Sequence, residues 1–257
     1  MNQDSVLIKA ARYIIVSVIV FFVAQVSAQT KQITSFNQVW AGYFNQTRLS
    51  SKWGFWAEAQ VRTNDKFFDN LFQGIVRVGG TYYLNDDTKL TAGYAYVNNF
   101  SPANGANIST PEHRPWQQIQ WHTKYPKLRL MQWFRLEERY RQRLLNVNEL
   151  DNSFAFNWRV RYNFLMQVPL SRKRFQPNTF SFITNNEVFV NLGKQVVYNT
   201  FDQNRFFVGL AYQTTKTDNL QFGYLNVFQQ LTTGNQYKSS HVARIFYFHN
   251  LDLRKGK

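Results

Sequence analysis

The residues best able to do chemistry in this sequence are arginines and glutamates that recur at every second position. Arg135, Glu137 and Arg139 follow this spacing in LRLMQWFRLEERYR, and Arg159 and Arg161 follow it in SFAFNWRVRYNFLM. Large apolar residues occupy most of the positions between them. Because successive side chains of a β-strand point to opposite faces, each stretch predicts a strand with one charged face and one apolar face.

The same alternation in other stretches adds further charged residues to the polar face. Guanidinium and carboxylate groups can pair across a sheet, so one interpretation is a structural network that fills a barrel interior. Rings of arginine select anions, so the other interpretation is a pore or pocket that favours anionic solutes. Both interpretations stay open for the full set of predicted lumen residues: Glu58, Arg62, Arg77, Arg114, Arg135, Glu137, Arg139, Arg159, Arg161, Glu187 and Arg205.

The sequence offers little for catalysis or metal binding. It contains no cysteine, and none of its four histidines has a partner at the spacing of a helical metal site. We therefore predict no catalytic residues, no metal and no cofactor. The enzymatic alternative is a lipid hydrolase, which needs a serine activated by a histidine. Ser239 and His241 would share a strand face, but no acidic partner is evident.

The elements that must position the charged residues are long alternating runs separated by polar breaks. The runs exceed the ~5–6 residues of an ordinary strand and match the ~9–11 residues of a strand that crosses a bilayer. Short turns alternate with longer loops, of which the clearest is NFSPANGANISTPE. The pattern predicts an all-β fold, an antiparallel transmembrane β-barrel. The predicted strands are 36–48, 53–63, 70–84, 89–99, 113–124, 127–142, 152–168, 178–191, 204–215, 219–231 and 240–250.

The number of strands is expected to be even, within a range of about 10–12. The runs number eleven, whereas bacterial single-chain barrels have an even count. We expect residues 29–37 to add a strand and bring the total to twelve, rather than one run to drop out and leave ten.

The N-terminal residues are typical of an export signal. Lys9 and Arg12 precede the apolar run YIIVSVIVFFVA, and small or β-branched residues lead to a cleavage site after Ala28. We predict a signal peptide over residues 1–28 and a barrel domain over residues 29–257. The apolar run is shorter than the ~18–20 residues of a helical span, which disfavours an uncleaved anchor.

The formal charge of +15 indicates acidic partners. Turn residues such as Arg172, Lys173 and Arg174 would meet acidic lipid headgroups or lipopolysaccharide phosphates in the outer membrane. Nucleic acid is not expected for an exported chain, and we expect a monomer. Aromatic residues beside the short turns predict an interfacial girdle: Trp53, Trp121, Tyr82, Tyr83 and Tyr125.

Several segments are similar to the DUF2490 family, a group of predicted outer-membrane β-barrel proteins of Gram-negative bacteria with no assigned biochemical role. EHRPWQQ and FDQNR are the more specific segments, and VGGTYYLNDDTKLTAGYAYV and RVRYNFLMQVPL add barrel pattern. The resemblance extends from about Gln38 to Phe248 and implies a fold and a location, not a reaction. One departure is that the chain continues nine residues past Phe248, where such barrels often finish on an aromatic residue.

These observations lead to a general expectation of function. We expect a structural role, or passive passage or binding of small solutes, including anionic ones, through an Arg/Glu-lined lumen. The alternatives are an outer-membrane lipid hydrolase and a plugged barrel that acts as a surface interaction module.

Overall fold

The computed structural model describes residues 31–63, 70–100 and 107–254. The predicted signal peptide, residues 1–28, lies outside the described residues and stays a prediction. Within the described residues, eleven strands form a closed barrel, which confirms the predicted fold class. The strands are β1 (Gln32–Arg48), β2 (Trp53–Thr63), β3 (Leu71–Tyr83), β4 (Thr88–Asn99), β5 (Thr110–Tyr125), β6 (Leu128–Asn146), β7 (Glu149–Pro169), β8 (Thr179–Leu192), β9 (Phe201–Gln213), β10 (Asp218–Gln230) and β11 (Gln236–Asp252).

The two faces of the strands differ as the alternation predicts. On β2, Glu58 is 3% exposed inside the barrel, whereas Val61 is 49% exposed outside it. All eleven strands place at least one large apolar side chain on the outside. Among the described residues, no helix has the length and apolar character needed to span a membrane. We call the following set the outer apolar belt: Tyr43, Phe55, Val76, Tyr94, Ile119, Phe134, Phe164, Phe180, Phe206, Phe222 and Ile245.

The barrel closes with an odd number of strands, so the expectation of twelve is wrong. Sequence neighbours pair antiparallel all around the barrel, but β1 and β11 run in the same direction and pair in parallel. In this register Trp40 lies opposite Arg244, and Phe44 lies opposite Phe248. Residues from Gln32 onward lengthen β1 instead of forming a separate strand. A parallel closing pair removes the free edges without requiring an even count.

The chain reverses at two ends of the barrel, and one end differs from the prediction. The turn end holds the connections after β1, β3, β5, β7 and β9, and the loop end holds those after β2, β4, β6, β8 and β10. A loop over residues 143–151 was expected at the loop end, but β6 and β7 are joined there by Val147 and Asn148 alone. The backbone N–H of Asn148 donates to Asn146 Oδ1 at 2.9 Å, which supports this tight turn.

The tyrosine pair at the end of β3 corrects the predicted girdle. Tyr83 is buried under the guanidinium of Arg48, whose Cζ lies 4.2 Å from the ring centroid. Tyr82 instead contacts Trp53, with ring centroids 5.0 Å apart, on the outer surface. Adjacent residues of a strand point to opposite faces, so only Tyr82 of the pair can join an external girdle.

Two cross-strand glycine pairs, Gly79 with Gly93 and Gly209 with Gly223, let large aromatic rings fit inside the barrel. Gly79 lies opposite Gly93, and a Cβ atom on Gly93 would lie 2.0 Å from the Val78 carbonyl oxygen. A Cβ atom on Gly79 would meet the indole ring of Trp116 at 3.1 Å. Trp116 is 1% exposed, so this glycine pair provides the space for a fully buried indole.

Candidate functional site

The barrel encloses a cavity of about 750 Å³ whose lining reaches both ends of the strands. Phe36 and Lys238 line it near the loop end, and Lys124 and Asn250 line it near the turn end. Among the described residues, three carboxylates line the cavity, Glu58, Glu112 and Glu187. The basic residues that line it are Arg62, Arg77, Arg114, Lys124, Arg129, Arg135, Arg139, Arg141, Arg159, Arg161, Arg205, Lys238 and Arg244.

One part of the lumen is a dense set of ion pairs centred on Glu137, which is 0% exposed. Its carboxylate accepts hydrogen bonds from Arg159 Nε at 2.8 Å and from Arg161 Nη1 at 2.6 Å. The guanidiniums of Arg77 and Arg135 lie within 3.7 and 3.9 Å of the same carboxylate. Four arginines from three strands therefore share one acidic group on β6.

A second carboxylate, Glu112, extends these pairs toward the loop end. Arg114 donates to it from Nε at 2.7 Å and from Nη2 at 2.8 Å, a bidentate contact. Arg139 donates to the same carboxylate from Nε at 2.6 Å. Asp202 links this region to the centre, because its Oδ2 lies 3.1 Å from Arg159 Nη1 and 3.9 Å from Arg139 Nη1.

These contacts join into one continuous network that spans seven strands. Arg77 also pairs with Glu58, and Arg161 also pairs with Glu187. Six arginines and five carboxylates take part, so the network is close to electroneutral. We call the following residues the ion-pair network: Glu58, Arg77, Glu112, Arg114, Arg135, Glu137, Arg139, Arg159, Arg161, Glu187 and Asp202.

The opposite side of the lumen is apolar, which the sequence reasoning did not anticipate. Inward side chains of β1 and of β8 to β11 form a buried hydrophobic cluster, against which Trp56, Leu165 and Phe248 pack. The ring of Phe44 lies 4.9 Å from that of Phe246 and 4.6 Å from that of Phe248. We call this set the apolar wall: Trp40, Phe44, Trp56, Leu165, Ile183, Phe207, Ala211, Leu225, Val227, Val242, Phe246 and Phe248.

Three arginines border the apolar wall instead of joining the network. Among the described residues, no carboxylate lies within 4.0 Å of the guanidiniums of Arg62, Arg205 or Arg244. Arg62 and Arg205 both approach the indole of Trp40, with Cζ atoms 3.8 and 4.9 Å from the ring centroid. Arg244 lies over Phe207 at 3.2 Å. Aromatic faces therefore partly replace carboxylates as partners of these cations.

Glutamines complete the surroundings of these arginines. Arg62 donates to Gln73 at 2.8 Å and to Gln60 at 2.9 Å, and Arg244 donates to Gln221 at 3.0 Å. The Nε atoms of Arg62 and Arg244 are buried without a hydrogen-bond partner in the described part of the chain. Each of these two guanidiniums therefore keeps an unused donor inside the lumen.

All eleven predicted lumen residues point into the barrel, but the structure divides them. Nine belong to the ion-pair network, whereas Arg62 and Arg205 border the apolar wall. Glu58, Arg62, Arg77, Arg114, Arg135, Arg139, Arg159, Arg161, Glu187 and Arg205 line the cavity. Glu137 lies behind that lining at the centre of the network.

The predicted lumen set lacks three of the charged residues that belong to the ion-pair network or border the apolar wall, namely Glu112, Asp202 and Arg244. The sequence prediction placed Glu112 in the loop before β5. If the strand begins at Thr110, as observed, the spacing of two residues puts Glu112 and Arg114 on one face. Asp202 and Arg244 lie on β9 and β11, where the alternation is weak because both faces carry apolar residues. Arg244, Phe246 and Phe248 occur at every second position, which puts them on one strand face, and this spacing was the available signal for Arg244.

The residues considered for catalysis lie on the outer surface and contact different partners. Ser239 Oγ accepts a hydrogen bond from Asn226 at 3.2 Å, whereas His241 Nδ1 lies 2.6 Å from the Tyr224 hydroxyl. Among the described residues, no hydrogen bond joins Ser239 to His241, and no group of three His, Asp or Glu residues could hold a metal ion. This arrangement lacks the serine–histidine contact that nucleophilic catalysis requires.

The fold and the lumen together define a closed, eleven-strand β-barrel with a charged, cavity-containing interior. The family model of DUF2490, described as a protein of unknown function, matches residues 37–238. The chain therefore belongs to the DUF2490 family, as the sequence resemblance predicted. No curated protein matches the chain.

One solved structure shares some likeness with the barrel. It is described as a NanC porin structure in a rhombohedral crystal form. It is 16% identical, with a TM-score of 0.42 over 74% of this chain and 87% of that chain.

Proposed function

We propose that the protein is an outer-membrane barrel that passes or holds small anionic solutes in its lumen. The outer apolar belt supports the membrane location, because exposed apolar side chains on every strand suit contact with acyl chains. A belt of this extent would be costly to expose to water. The length of the strands, from 11 to 21 residues, also suits a tilted crossing of the bilayer.

The composition of the cavity lining is the observation that carries the choice of solute. In the described part of the chain, thirteen basic side chains and three carboxylates line the cavity. The ion-pair network balances most of its own charge, so Arg62, Arg205 and Arg244 contribute an excess positive potential. Basic linings concentrate anions and repel cations. Residues near both ends of the strands share this one cavity, which supports passage as well as binding.

Reconstitution in planar bilayers tests this proposal. We expect conductance with a reversal potential that favours chloride over potassium across a salt gradient. Replacement of Arg62 and Arg205 by glutamine should shift the reversal potential toward zero, because it removes two lumen charges that lie outside the network. Arg172→Gln is the matched control, since it removes an exposed charge from the connection between β7 and β8. A preference for cations would contradict the proposal, and no conductance from folded protein would contradict passage through the lumen.

Acidic lipids are the partners that the turn end suits best. Arg172, Lys173 and Arg174 are exposed side by side in the connection between β7 and β8. Each basic residue near an anionic surface contributes about 1 kcal/mol of attraction. Replacing all three by glutamine should weaken flotation of the purified barrel with vesicles containing acidic lipid, and equal flotation would argue against this partner.

A further inference from the structure

We propose that the lumen selects organic anions that carry a single charged group on an apolar body of about naphthalene size. The charged group would lie against Arg62 and Arg244, and the body would lie on the apolar wall. This inference rests on the proposed binding of anions in the lumen and specifies which anions bind there.

The head-group position follows from the register of three neighbouring strands. Trp40 on β1 lies opposite Arg62 on β2 and opposite Arg244 on β11, so the two arginines come from the strands on either side of it. The guanidinium of Arg62 lies over the Trp40 ring, and that of Arg244 lies over the Phe207 ring. Arg62 and Arg244 are 7% and 8% exposed, and both line the cavity. Each keeps a buried Nε–H with no partner among the described residues. A buried guanidinium donor without an acceptor is costly, and a bound carboxylate or sulfonate would satisfy it.

The position of the apolar body follows from the rings next to this pair. Phe44, Phe246 and Phe248 form a mutually packed group, and Trp56 contacts Phe44 edge-on with centroids 6.2 Å apart. All four rings line the cavity. A lumen that passed only hydrated ions would gain nothing from an aromatic surface, because the interior of such a barrel is normally polar. Flat apolar ligands stack favourably on such rings.

Charge and size limit the ligand further. The guanidiniums of the ion-pair network already have carboxylate partners, and among the other described cations that line the cavity only Arg62, Arg205 and Arg244 border the apolar wall. A ligand with one anionic group therefore matches these cations better than a polyanion does. The cavity of about 750 Å³ lies within the range of about 300–1,000 Å³ that suits small organic ligands.

Calorimetric titration of the folded barrel in nanodiscs tests the ligand class, with empty nanodiscs as the blank. We expect 2-naphthoate to bind more tightly than acetate, which has the charge without the body. We also expect it to bind more tightly than 2-naphthalenemethanol, which has the body without the charge. Equal binding of naphthoate and acetate would overturn the role of the apolar wall, and equal binding of naphthoate and the alcohol would overturn the role of the arginines.

Variants locate the site within the lumen. Replacing Arg62 and Arg244 together by glutamine should weaken naphthoate binding by about tenfold to hundredfold, the loss expected for one or two charge-assisted hydrogen bonds. Phe248→Ser should weaken naphthoate binding but not acetate binding, because it removes one ring from the wall. Arg129→Gln is the matched control: it removes a cavity-lining arginine that stacks on Phe175, outside the apolar wall. Unchanged affinity in the double variant, with migration on gels showing a folded barrel, would overturn the proposed site.

The results separate this inference from the proposed function. Chloride-selective conductance with no preference for naphthoate would leave the channel role intact and reject the ligand class. Tight naphthoate binding without conductance would support the ligand class and indicate a barrel that holds its ligand instead of passing it.

Discussion

The ion-pair network and the apolar wall share one lumen, yet they accommodate arginine in different ways. In the network, Glu137 receives hydrogen bonds from Arg159 and Arg161, and neighbouring carboxylates compensate the other guanidiniums. Along the wall, Arg62 and Arg244 rest on aromatic rings and donate to glutamines. The first region is nearly neutral, and the second is positive.

This difference separates structural charge from charge that is available to a ligand. A buried ion pair is disrupted at high cost when one partner is removed, because the remaining charge loses its compensation. A guanidinium held by amides and rings loses less, since no opposite charge depends on it. We therefore expect network substitutions to act on stability and wall substitutions to act on binding.

The largest effect should come from removing the centre of the network. Glu137→Gln leaves Arg159 and Arg161 without their shared carboxylate and should lower the free energy of unfolding by about 3–5 kcal/mol. Urea titration in detergent micelles, followed by gel migration of folded and unfolded forms, measures this change.

The neighbouring residue on β6 provides the control for that substitution. Glu138 points to the other face, where the Tyr140 hydroxyl donates to it at 3.4 Å. Glu138→Gln should change the free energy of unfolding little. Similar losses in the two variants would show that Glu137 does not organise the lumen.

A smaller effect, shared by both regions, should follow from filling the glycine pairs. Gly93→Ala on the network side and Gly209→Ala on the wall side should each cost about 1–3 kcal/mol, because the new methyl group meets a backbone oxygen. Their Cβ atoms would lie 2.0 Å from Val78 O and 2.3 Å from Phe222 O.

Gly80→Ala is the control for both glycine substitutions, since a Cβ atom there meets nothing within 4 Å. Thermal unfolding of the three variants would compare them directly. A loss of stability in only one of Gly93→Ala and Gly209→Ala would mean that packing, as well as charge, distinguishes the network from the wall.

The smallest effect on stability should come from the wall arginine. Arg244→Gln should lower the free energy of unfolding by about 0.5–1.5 kcal/mol. The variant loses the hydrogen bond from Arg244 to Gln221 but leaves no carboxylate unpaired. Arg159→Gln, the comparison in the network, should cost about 3–5 kcal/mol because it strips Glu137 and Asp202 of a shared partner. Equal costs in urea titrations would mean that the two regions depend on arginine in the same way.

Prediction from sequence succeeded where each strand has one apolar and one polar face. On β7, Arg159 and Arg161 are buried inside the barrel and Phe164 is 36% exposed outside, as the alternation predicts. It failed where both faces are apolar. On β9, Phe206 faces outward and Phe207 faces inward with Arg205, but alternation gives no sign that Phe207 packs against inward apolar residues of other strands. The apolar wall was missed for this reason.

By itself, the amino-acid sequence determined the β-strands, the family and the inward direction of the main charged residues. The strands and the inward direction follow from period-two alternation, which depends only on the geometry of a single extended chain. The family follows from the resemblance of particular segments, such as EHRPWQQ and FDQNR. The tertiary structure decided the parallel closure of β1 on β11, the ion partner of each arginine and the division of the lumen into network and wall. Such contacts join residues far apart in the chain, and their pairing depends on how the whole sheet curls and closes.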